Sequence, residues 1–128
     1  MILKELARLI DEYMDSGILY NSILPTSEYC AARLGLSEFY FNYLLKFETG
    51  KTLCEYLECK RQESARKMLE KPINTPATVA RQLGYSNVQY FSLIFKKIIG
   101  VSPNEYRFLN NWNSALLVFQ LKSIILQL

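Results

Sequence analysis

Histidine is absent from the 128 residues, which removes the commonest general base, the imidazole of a catalytic triad and the commonest metal ligand together. No catalytic residue, cofactor or metal site is therefore expected. Cysteine is scarce and odd in number: Cys30, Cys54 and Cys59 leave one thiol over in any disulfide scheme and lack the paired CxxC spacing of a zinc site. Cys54 and Cys59, five apart on a helix, are poorly placed to bridge or chelate, so the three read as reduced thiols in a cytoplasm, with Cys30 a small buried hydrophobe. Long apolar runs are also missing. The N-terminus carries "KELARLIDE" where a secretory segment needs an unbroken apolar stretch. The stretch from Ala115 is interrupted by Gln120 and Lys122 and is shorter than the roughly 20 residues of a spanning helix. No membrane partner is expected, and strand-period alternation is found nowhere.

What is present is half apolar, and 15 Lys and Arg against 12 Asp and Glu give a formal charge of +3. That balance permits a polyanionic partner without requiring one. In "ILKELARLIDEYMDSG" the residues Ile2, Leu3, Leu6, Leu9, Ile10, Tyr13 and Met14 recur at three and four, as an amphipathic helix requires, and Gly17 stops it. Thr26 or Ser27 caps a short helix that Gly35 ends, and Ser37 opens another. From Thr52 to about Glu70 a longer helix begins with a Thr52/Glu55 capping box and carries Leu53, Leu57, Ala65, Met68 and Leu69. Its roughly 19 residues span about 28 Å. Lys60, Arg61, Arg66 and Lys67 mix there with Glu58, Glu63 and Glu70 and read as exposed ion pairs of small value. Later, Ser102, Pro103 and Glu105 form a second helix start of the capping-box kind.

The chain repeats itself. Cys30, Ala31, Leu34, Gly35 and Ser37 are matched 49 residues on by Val79, Ala80, Leu83, Gly84 and Ser86. After one extra residue, Tyr40, Phe41, Leu45, Lys46, Gly50, Thr52, Glu55 and Tyr56 meet Tyr90, Phe91, Phe95, Lys96, Gly100, Ser102, Glu105 and Tyr106 at an offset of 50. Two helix-turn-helix units thus flank the long helix, with small Ala31 and Ala80 allowing close crossing. On the second helix of each unit, Tyr40, Phe41, Leu44 and Leu45, and likewise Tyr90, Phe91, Ile94 and Phe95, form a core face. The opposite stripe, spaced i, i+3, i+4, i+7, holds Phe39, Asn42, Tyr43 and Lys46, and in the second unit Gln89, Ser92, Leu93 and Lys96. A recognition helix presents such a stripe to the major groove, where amides bind adenine and apolar side chains touch the thymine methyl. Asn42 and Gln89 are the candidate base readers, and Lys46 and Lys96 the candidate phosphate contacts.

The runs "ARLGLSEFYFNYLLKFETGKTLCEYL" and "A...LGYS...YFSLIFKKIIGVSPNEYR" closely resemble the DNA-binding domain of AraC/XylS-type bacterial transcription regulators over residues 26 to 109. The resemblance implies seven helices, two helix-turn-helix units, binding to double-stranded promoter DNA and contact with RNA polymerase in the cytoplasm, at the nucleoid. It also places Phe39, Asn42, Tyr43, Gln89, Ser92 and Leu93 at the groove. Family members commonly carry Arg where Tyr43 and Leu93 stand, and Arg107 in the closing motif either braces the second unit or touches DNA. The expected fold class is all-α, with homeodomain-like three-helix units: an N-terminal helix and loop over 1–25, a first unit over 26–50, a linker helix over 51–71, and a second unit with closing helix over 72–109. An apolar tail over 110–128 packs on the domain or on a second copy. Nothing before residue 26 is large enough for the effector or dimerisation domain such regulators commonly carry, so the chain reads as a fragment or a stand-alone regulator. The rival reading is a helical protein-interaction module that has lost DNA binding.

Overall fold

A computed structural model of the protein describes residues 2–111 and residue 126; the expectation for the apolar tail falls on residues outside these, Leu126 apart. The described residues are all helical, without strands: α1 (Ile2–Asp15), a 3-10 turn (Ile18–Asn21), α2 (Ser27–Arg33), α3 (Glu38–Thr49), α4 (Leu53–Leu69), α5 (Pro76–Gln82), α6 (Val88–Ile99) and α7 over 103–111. The expected all-α fold of two units on a linker helix is the one observed.

Local chemistry sets most helix ends. Thr26, Ser37 and Thr75 each accept a hydrogen bond from a backbone N–H three residues on, satisfying donors that the first helical turn leaves free. Thr52 and Glu55 form the expected capping box, and the backbone N–H of Thr52 holds the Glu55 carboxyl below its usual range. One cap differs from expectation. Ser86 is the sequence partner of Ser37, yet Asn87 caps α6, its Oδ1 accepting from Tyr90 N at 2.7 Å. The extra residue of the second unit sits in its turn and moves the cap along by one.

The linker helix α4 has 17 residues, about 26 Å, and serves two cores. Leu53 and Leu57 at its start join Leu6, Leu9, Ile10, Cys30, Ala31, Phe41 and Leu45 in the first, so α1 completes a three-helix unit with α2 and α3. Burial pushes the Cys30 thiol up to about 11. Ala65 and Leu69 at the other end join Val79, Ala80, Leu83, Tyr85, Phe91 and Phe95 in the second, and Met14 of α1 packs against both clusters. At the far end α7 is tied back: Tyr106 donates to a Glu70 carboxylate oxygen at 2.9 Å and Arg107 to the Pro72 carbonyl at 3.2 Å. Arg107 therefore braces the second unit.

Arg61 corrects a sequence expectation. Rather than forming an exposed ion pair it is 7% exposed: Nη1 donates to the Leu83 carbonyl at 2.9 Å, Nη2 to Glu58 Oε2 at 2.8 Å, and the guanidinium lies 4.0 Å from the centroid of the Tyr85 ring. The planar, delocalised cation tolerates such a site better than an ammonium does. Gln62, also buried, donates to Glu58 and to the Tyr85 hydroxyl, which itself donates to Glu58. Burial first, and the bond to Glu58 second, drive the Tyr85 hydroxyl far above its ordinary value, so it stays a donor. Lys60, by contrast, does form a solvent-accessible ion pair, though with Asp11 of α1 at 3.2 Å rather than with a glutamate of its own helix.

The glycine turns are alike in backbone and unlike in surroundings. Gly35 and Gly84 both take positive φ, 71° and 86°, but a Cβ on Gly35 would meet nothing within 4 Å, whereas one on Gly84 would lie 2.4 Å from the backbone oxygen of Leu19 in the 3-10 turn. Gly35→Ala should therefore cost only the left-handed penalty of about 1–2 kcal/mol. Gly84→Ala should cost roughly 3 kcal/mol or more, because two backbone segments must also part. Equal losses in urea unfolding would contradict this contact. By the same measurement Arg61→Ala should lower stability by about 3 kcal/mol or more, since it removes the counter-charge of a partly buried carboxylate and leaves the Leu83 carbonyl without its donor. Lys60→Ala should change it by less than about 1 kcal/mol.

Candidate nucleic-acid interface

The second helices of the two units, α3 and α6, are built alike. Each ends at a glycine with positive φ, Gly50 at 73° and Gly100 at 104°. Each buries one face: Phe41 and Leu45 in α3, Phe91 and Phe95 in α6, with Leu44 and Ile94 half-buried. Tyr40 and Tyr90, expected in this core, are instead 48% and 50% exposed. Each lies one residue, hence about 100° around the helix, from the buried phenylalanine that follows it. At that boundary a tyrosine can bury a ring edge and keep its hydroxyl in water, as Tyr90 does against the Tyr85 ring at 6.2 Å.

The opposite stripes are open. Phe39, Asn42, Tyr43 and Lys46 of α3 and Gln89, Leu93 and Lys96 of α6 are exposed, and Ser92 is half-buried. The two helices border one cleft of about 840 Å³, lined by Asn42 and Lys46 from α3, Tyr90 from α6, and Leu57, Glu58 and Arg61 from α4 beneath. Lys46 Nζ donates to the Gly50 carbonyl at 3.1 Å. Lys46, Lys96 and Lys97 stand in the last turns of their helices, where a cation also opposes the helix dipole.

Sequence reasoning missed Phe47 and Lys97 on these surfaces. Phe47 is 77% exposed and stacks on Tyr43, centroids 6.3 Å apart and planes 12° apart, so the stripe of α3 runs about one turn past Tyr43. The signal was its place four residues beyond Tyr43, on the same face. Lys97 is its repeat counterpart and is exposed too. Arg61 was missed as the floor of the cleft because its partners lie 22 and more residues away in Leu83 and Tyr85.

Comparison with known proteins fits this geometry. The profile of a helix-turn-helix domain family matches residues 30–108. The MmsAB operon regulatory protein of Pseudomonas aeruginosa is 35% identical over 80 residues, which cover 62% of this chain and 26% of that protein. The chain thus spans about a quarter of the length of that relative. The C-terminal domain of AraT, a response regulator from Geobacillus stearothermophilus, superposes with a TM-score of 0.63 at 33% identity, covering 81% of this chain and 84% of that one. The DNA-binding domain of AdpA, solved with a target DNA, shares the fold at a TM-score of 0.67 and 22% identity, over 84% of this chain and 94% of that one. With two repeated units on a shared linker helix and a family match over more than half its length, the chain belongs to the AraC-type helix-turn-helix family.

Proposed function

We propose that this chain is a sequence-specific, double-stranded-DNA-binding transcription regulator, or the DNA-binding part of one, that sets α3 and α6 into successive major grooves of promoter DNA. One observation carries the reading: both helices bury the same repeat-equivalent face and leave the opposite stripe open to solvent. A 17-residue linker of about 26 Å is commensurate with grooves about 34 Å apart along one side of the duplex. Gln89 and Asn42 are assigned to base edges, Phe39, Tyr43, Ser92 and Leu93 to the groove wall, and Lys46 and Lys96 to phosphate. Such a regulator acts at the nucleoid and contacts RNA polymerase, and its full form self-associates through a further domain or through the tail. The helices make no membrane-spanning segment among the described residues.

The second reading, a protein-docking module, is favoured by the apolar character of α3, where Phe39 and Phe47 stand open to solvent. Salt separates the two, because phosphate contacts release counterions and weaken steeply as salt rises, whereas an apolar interface hardly responds. Selection from a random duplex pool across a salt series should enrich a bipartite motif with half-sites about one turn apart. Absence of retention at low salt by the folded chain would transfer support to the docking module. On the selected site, Gln89→Ala should cost about 1–3 kcal/mol and relax preference at one position. Lys96→Ala should weaken all duplexes alike and reduce the salt slope by about 1. Equal losses from both on every sequence would remove Gln89 from the base readers.

A further inference from the structure

We propose that the two recognition helices read chemically different half-sites, and that α3 docks on a thymine-rich one through the C5-methyl groups of the bases. The proposal rests on the DNA-binding reading above and concerns what the first unit prefers.

The repeat supplies the comparison. At equivalent positions α6 carries Gln89, Leu93, Lys96 and Lys97 where α3 carries Phe39, Tyr43, Lys46 and Phe47. The amide and the second lysine of α6 are thus both replaced by phenylalanine in α3. Phe39, Tyr43 and Phe47 lie at i, i+4 and i+8 along one face, 83%, 57% and 77% exposed, with Tyr43 and Phe47 stacked into a continuous apolar plate. Isolated exposed apolar residues are ordinary, but three large rings in register on a helix mark a contact surface.

The occupant follows from what flanks the plate and from what the major groove offers. Asn42 and Lys46 stand on the same stripe and line the cleft shared with α6, so the plate is continuous with the polar and cationic surface assigned to the duplex. Phenylalanine has no donor or acceptor and cannot bind a base edge by hydrogen bonds. The one apolar group that unmodified DNA displays in the major groove is the thymine methyl. Glu38, exposed in the first turn of α3, repels phosphate there, which leaves apolar contact as the main attraction of that turn. The first half-site is accordingly read by its methyls beside the contacts of Asn42 and Lys46, and the second by hydrogen bonds and charge without such a plate.

Deoxyuridine in place of thymidine tests this, because it keeps base pairing and removes only the C5-methyl. The full chain is titrated onto its selected operator with uracil substituted in one half-site at a time. The half-sites are assigned by DNA cleavage from an iron chelate coupled to Cys54, an exposed thiol lining the cleft beside α3, in a Cys59→Ser background. Uracil in the α3 half-site should weaken binding about fourfold for each contacted methyl, and uracil in the α6 half-site should change it less than that. Phe39→Ala and Phe47→Ala, both at open surface positions, should lower affinity for the thymine duplex and abolish the uracil penalty while leaving the α6 half-site preference intact. Tight binding with no uracil penalty in the α3 half-site, or with a penalty that survives both substitutions, overturns the proposal and leaves the DNA-binding reading standing. Failure to bind any duplex at low salt overturns both, and points to a protein partner for the aromatic plate.

Discussion

The placement of the second unit depends on one buried cation. Arg61 leaves the middle of α4, spans the gap to the glycine turn of the second unit, and meets the Leu83 carbonyl, the Tyr85 ring and the Glu58 carboxylate at once. Desolvating a guanidinium is costly, and only partners on several sides at good geometry offset the cost. The arrangement tolerates little rotation or sliding of the second unit along the linker helix. A group buried beneath the cleft, not one on the exposed stripes, thus fixes how the second unit sits on the linker helix; on the proposed reading, a bipartite operator demands such a rigid spacing.

A second tie works from the other side. The 3-10 turn after α1 brings the Leu19 carbonyl against the backbone of Gly84, so closely that only a glycine fits. Since α1 itself lies in the core of the first unit, the N-terminal segment holds both units. Arg61 of α4 and Leu19 of the N-terminal segment therefore hold the same turn from two sides, at the Leu83 carbonyl and at Gly84. The equivalent turn at Gly35 has no such neighbour and carries only its own backbone conformation.

The two units share a core plan and differ at the surface. Ala31 and Ala80, Phe41 and Phe91, Leu45 and Phe95 are buried in matching places, because close helix crossing leaves little freedom in shape. The open stripes have no such constraint and differ, with Phe39 and Phe47 of α3 standing where α6 carries Gln89 and Lys97. On the proposed reading, these stripes are the surfaces that meet the target.

Much of this was legible in the sequence, for physical reasons that are local. Apolar spacing near 3.6 marked α1, α3, α4 and α6, side-chain caps at Thr26, Ser37 and Thr52 marked the starts of α2, α3 and α4, and glycines free to take positive φ marked the turns and ends. The internal repeat then supplied the architecture and, with it, the open stripes. Errors came where a residue's environment is set by distant partners. Arg61 looked like a surface charge because its neighbours on α4 are charged, and Tyr40 and Tyr90 looked like core because a helical period assigns a face but not its edge. Phe47 was left off the stripe although its spacing carried the signal. The sequence by itself thus determined the helices, their caps and the two-unit plan, since those depend on contacts within a few residues. Only the tertiary structure decided that a cation is buried at the centre, that Gly84 is clamped, and which rings stay in water, because burial is a property of what packs alongside.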